Sequence, residues 1–112
     1  MIDAATIAEL LATYEKHGWI LRRVLLSAAA KEKLRDARKR LFGEIETTES
    51  MIDAAWFSRP PKKGGVAWEI RYLGEIPFAL LTKTDESHPD FESDLKDIES
   101  RLRELVTRKQ TA

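Results

Sequence analysis

Two runs of alternating apolar and polar residues flank the segment Arg59-Pro60-Pro61-Lys62-Lys63-Gly64-Gly65. Folding one run back on the other predicts a β-hairpin with Trp56 opposite Trp68, Ala54 opposite Ile70, Ile52 opposite Tyr72 and Ser58 opposite Val66. One face is then apolar, with an indole pair near the loop. The other carries Asp53, Ala55 and Phe57 against Ala67, Glu69 and Arg71, a partly polar surface. The chain turns again at 73–76 and enters PFALLTKT, so an antiparallel three-strand meander is expected from about Ile52 to Thr84. A two-residue turn there puts Ala79 and Leu81 on the Trp face, whereas a three-residue loop puts Phe78 and Leu80 there. The longer loop is preferred, because it groups the bulkiest side chains with the Trp pair.

Helical spacing appears on both sides of the meander. Asp3 is placed to cap a first helix, with Ile2 and Ile7 as a hydrophobic staple and Thr6-x-x-Glu9 as a capping box one turn later. Ile7, Leu10, Leu11 and Tyr14 form its apolar stripe, and Gly18 ends it. Trp19 to Leu26 is rich in β-formers and predicts a strand. Ser27 then caps a helix from Ala28 to Leu41 with a thin stripe of Ala30, Leu34, Ala37 and Leu41. Residues 43–50 fit either a short edge strand or an acidic loop. In the last helix Ser87 is the expected cap and Pro89 lies in the first turn, while Phe91, Leu95, Ile98, Leu102 and Leu105 make the buried seam. Glu92 with Lys96, Asp97 with Arg101, Glu99 with Arg103 and Glu104 with Arg108 are acid-first pairs four apart on its outer face. The tail from Thr107 is expected to fray.

The predicted fold class is α+β, an antiparallel meander sheet of three to five strands packed with three helices in the order α-β-α-(β)-β-β-β-α. At 112 residues the chain fits one domain, 1–112, able to bury roughly two-thirds of its unfolded surface. The first and last helices are expected to cover one sheet face around Trp19, Trp56, Trp68, Phe78 and Leu95.

Composition narrows the function more than it identifies one. The N-terminal MIDAATIAELL has no basic leader, and apolar runs stay far below the roughly 18 residues of a membrane span, so a cytoplasmic protein without membrane contact is expected. Zero cysteines remove disulfides, thiolate nucleophiles and cysteine metal sites. Charge is balanced at 19 basic and 19 acidic residues but segregated. Bases dominate from Lys16 to Gly43 and acids from Thr84 to Glu99, and the two segments are expected to neutralise each other.

No arrangement for chemistry emerges. His17 and His88 fall at helix ends without ligand spacing, Ser27, Ser58 and Ser87 read as caps or turn residues, and Gly64-Gly65 leads into a strand where a phosphate loop would lead into a helix. The acids lie on solvated faces except Asp53 and Glu69, with Glu69 placed to pair with Arg71 or Arg22. The tripeptide His88-Pro89-Asp90 is shared with the J-domain co-chaperones, where it follows a long basic helix. Here it follows a predicted strand and loop and reads as the opening of the last helix. No catalytic residue, metal or cofactor is therefore expected.

The leading expectation is a non-catalytic interaction or structural module that forms a homodimer or binds another protein. The meander has apolar residues on both faces, and Phe57, Leu73 and Leu81 are the candidates for a self-associating outer patch. The alternative is a nucleic-acid-binding protein that uses Arg35, Arg38 and Lys39 of the second helix with Arg59, Lys62 and Lys63 of the hairpin loop.

Overall fold

Asp3 opens the first helix. Its Oδ1 accepts the Thr6 N–H at 2.8 Å, and α1 spans Ala4–Lys16 in the computed structural model, which describes residues 3–60 and 66–111. Thr6 lies inside α1 and donates its hydroxyl to Asp3, so Asp3 caps the helix and the expected Thr6–Glu9 capping box does not form. Ile2, half of the expected staple, lies outside the described residues, as do Lys62 and Lys63. Gly18, at φ 86°, reverses the chain into β1 (Ile20–Leu26).

The expected second helix is two short ones. Ser27 Oγ accepts the Ala30 N–H and caps α2 (Ala28–Lys33), and α3 (Arg38–Phe42) follows a turn at 34–37. In a continuous helix Leu34 and Leu41 would share a stripe. The break turns Phe42 toward the sheet instead, buried with Ala30 and Leu34, and leaves Leu41 at the margin. Residues 47–49 resolve as a strand, β2 (Thr47–Glu49), parallel to β1.

The meander follows as β3 (Ala54–Arg59), β4 (Val66–Tyr72) and β5 (Ala79–Thr84), and α4 (Phe91–Thr111) closes the chain. The fold is α+β, and its five-stranded sheet has the order β2-β1-β3-β4-β5. The sheet is mixed, because β2 joins β1 in parallel while every other neighbour is antiparallel.

The hairpin differs from expectation by a displacement of two residues. Trp56 pairs with Ile70, Ser58 with Trp68 and Ala54 with Tyr72. A shift of two keeps every side chain on its face and extends the ladder to Arg59 opposite Ala67. The indoles become diagonal neighbours, centroids 6.2 Å apart and nearly edge-on at 71°, and both are buried. Beyond the second turn Ile70 faces Leu80, so Phe78 and Leu80 join the Trp face, as the longer loop requires.

Arg22 sits at a bulge, where the β1–β3 register slips between Leu21 and Arg23. The extra residue breaks the alternation. Leu21 and Val24 face one layer, while Arg22 and Arg23 both reach the other, stacked over Trp68 at 5.0 Å and Phe91 at 5.6 Å.

The layers also differ from expectation. Helix α4 covers the Trp face alone, burying Phe91, Leu95, Leu102 and Val106 against Trp56, Trp68 and Ile70. Helices α1, α2 and α3 cover the opposite face, where Ile7, Leu34 and Phe42 enclose Phe57, Ala55 and Leu73. Trp19 belongs to this second layer, not to the Trp56 layer. The reason is connectivity: Gly18 returns the chain into β1 with α1 lying over Phe57, and Tyr14 stacks on that ring at 4.1 Å. The start of α4 is later than Ser87, because Asp85 takes the Ser87 N–H in a turn of its own and the first helical residue is Phe91. At the other end the helix continues past Thr107 to Thr111.

Candidate interaction surface

Of the three residues expected to form a self-associating patch, two are core. Phe57 is 1% exposed and Leu73 4%, both beneath the α1–α3 layer, so neither can meet a partner. The thin apolar stripe of α2 and α3 suffices because two short helices bring Leu34 and Phe42 onto the sheet together. Leu81 is different: it is 63% exposed, on the edge strand β5.

The backbone of β5 is open on the side away from β4. Tyr72 N–H donates to the Phe78 carbonyl at 2.9 Å, which fixes the alternation of the ladder. The Phe78 carbonyl and the peptide groups of Leu80, Thr82 and Thr84 turn toward β4, the Phe78 N–H going instead to the Ile76 carbonyl in the turn, and Ala79, Leu81 and Lys83 turn theirs outward. No backbone hydrogen bond beyond the sheet reaches these three among the described residues. Such an edge is a template for another strand.

Beside it runs a groove of about 390 Å³, with Leu80, Leu81 and Thr82 on one wall and Asp94, Asp97, Ile98 and Arg101 of α4 on the other. Asp97 and Arg101, expected as a pair along the helix, form no ion pair among the described residues. Two other predicted α4 pairs are redirected to the sheet. Glu92 binds Arg23 through two contacts of 2.6 and 2.9 Å, which hold its carboxyl below the usual carboxylate range, and Glu99 accepts the Trp56 indole N–H at 2.8 Å. With Arg22 on Glu86 at 2.9 Å, the acidic segment neutralises the arginines of β1 and not the bases of α2 and α3.

Among the described residues, those bases do not converge with Arg59 of the hairpin. Arg35 contacts Glu32 at 3.3 Å and Asp36 at 3.7 Å, and Arg38 donates to Thr47. Lys39 is exposed, and Arg59 lies over the Trp19 ring at 4.5 Å. Thr47 pairs with Val24 and Ser58 with Ile20, so the anchors of Arg38 and Arg59 are separated by four residues of β1 and two strand spacings, roughly 17 Å.

Other polar groups inside the fold are engaged with neighbours. Asp53 Oδ1 accepts the Ser27 N–H at 2.7 Å, joining β1, α2 and β3. Glu69 accepts the Tyr14 hydroxyl, not an arginine. Burial, then that hydrogen bond and the nearby Glu69 charge, push the phenol well above its usual range, so Tyr14 serves as a donor. Ser58, buried, accepts from Arg22 at 3.1 Å within a strand. A second cleft, about 310 Å³ between α1, Trp19 and Leu41, is lined by apolar side chains and Glu15. It brings no acid and base together.

Sequence reading missed the α4 wall of the groove, since spacing along a helix does not say which flank lies against a strand edge. Leu81 was legible as an apolar residue on the outer parity of an edge strand. No helix among the described residues is long and apolar enough to cross a membrane. Comparison with protein-family models, curated proteins and solved structures finds no match.

Proposed function

We propose that the protein is a non-catalytic interaction module that self-associates through the edge of β5. The observation that carries this reading is the outward backbone of Ala79, Leu81 and Lys83 next to an exposed leucine. Three consecutive outward residues offer both donors and acceptors, and covering Leu81 removes apolar surface from water. The other sheet edge is weaker, because β2 has only three residues, Thr-Thr-Glu. A cytoplasmic location is proposed with it, since a chain with no cysteine suits a reducing compartment. Binding of polyanions by α2 and α3 has less support, because Arg35 is shared with two acids and Arg59 is distant.

Sedimentation velocity tests the reading. The parent chain is expected to move from a 12.8 kDa monomer toward a dimer as concentration rises through the micromolar range. Leu81→Lys is expected to remain monomeric with an unchanged circular dichroism spectrum. A lysine obstructs edge pairing, and Glu69 directly opposite on β4 gives it a partner within the chain. A parent that stays monomeric, or a Leu81→Lys variant that dimerises as well as the parent, contradicts the proposal.

A further inference from the structure

Resting on the self-association just proposed, we infer that two copies pair antiparallel along β5 about a twofold axis at Leu81, joining two five-stranded sheets into one of ten strands. Both α4 helices then lie on the same face. Paired hydrogen bonds form only between residues whose peptide groups both point across the interface. On each copy these are Ala79, Leu81 and Lys83, and a register centred on Leu81 uses all three: 79 with 83 of the second copy, 81 with 81, and 83 with 79. Sliding by two residues forfeits a pair.

Side chains favour the same register. Leu81 meets its own copy and covers the exposed apolar group of the edge. Lys83 meets Ala79, whereas an in-register parallel pairing would set two Lys83 ammonium groups side by side. The groove adds charge complementarity. Its acids, Asp94 and Asp97, precede Arg101 along α4, so an antiparallel copy carries its Arg101 toward the acids of the first and its acids toward the first Arg101. The contact is isologous and consumes the edge on both copies, so assembly closes at two.

The chain has no cysteine, so single thiols report the geometry directly. Ala79→Cys and Lys83→Cys are both at exposed positions. In the inferred register their Cα atoms are about 5.5 Å apart across the interface, within the range a disulfide spans. Two copies of position 83 are about 14 Å apart, beyond that range. Under mild oxidation, at a concentration where sedimentation gives dimer, the equimolar mixture is expected to form the mixed 79–83 disulfide several-fold faster than either variant alone. Each variant alone should match a Thr48→Cys control on β2. Self-linking of Lys83→Cys faster than the mixture overturns the antiparallel register. A dimer without enrichment of the mixed species also overturns it, while leaving self-association standing. A chain that is monomeric throughout removes both.

Discussion

Trp56→Ala is expected to destabilise the protein by about 3–5 kcal/mol. The side chain is 0% exposed, packed edge-on against Trp68 and enclosed by α4, and its indole N–H donates to Glu99 at 2.8 Å. Truncation leaves a large void in a layer formed by one helix and one sheet face, and leaves the Glu99 carboxylate without that donor. A loss of this size is a large part of the roughly 5–15 kcal/mol that typically holds a domain. Trp56→Phe keeps most of the ring volume and loses the hydrogen bond, so its cost should be smaller. Urea unfolding of the three proteins at a concentration where each is monomeric gives the comparison. A midpoint for Trp56→Ala within error of the parent would contradict the packing.

Phe57→Glu is expected to abolish cooperative folding. Phe57 lies under the Tyr14 ring at 4.1 Å, faces Leu21 on β1 and Glu69 on β4, and is 1% exposed. The substitution removes a buried aromatic, worth about 3–5 kcal/mol, and puts a carboxylate into an apolar layer beside an existing acid. The second cost adds to the first, and together they reach the stability of an ordinary domain. Loss of the sigmoidal thermal transition by circular dichroism is the expected result. A folded Phe57→Glu protein with a melting curve like the parent's would mean that the α1–α3 layer does not cover this face.

The contrast between Phe57 and Leu81 marks where sequence stops being informative. Both are apolar residues of outward parity in the meander, and alternation treats them alike. Only the packing of α1, α2 and α3 distinguishes them, and that layer ends short of Leu81. The hairpin teaches a related lesson. Face assignment survived a two-residue displacement of the Trp56 strand against its neighbour because side chains repeat every second residue, so hydrophobic pattern cannot separate registers that differ by two. The second turn was readable because its alternatives differed by one residue and exchanged faces. The bulge at Arg22 was not, since two adjacent arginines fit a solvated strand end as well as a bulge that sends both to the Trp face. The break at 34–37 has neither glycine nor proline to announce it; its rationale, bringing Phe42 inward, is tertiary.

Amide exchange at the edge of β5 tests the self-association surface most directly. In dilute protein the N–H groups of Leu81 and Lys83 point into solvent and should exchange quickly, while those of Leu80 and Thr82, directed at β4, are protected. Raising the concentration into the dimer range is expected to slow Leu81 and Lys83 by about tenfold or more, with Glu49, whose N–H points outward on the opposite edge, unchanged. Equal exchange rates at Leu81 and Lys83 across that range, in a protein that sediments as a dimer, would contradict pairing along this strand.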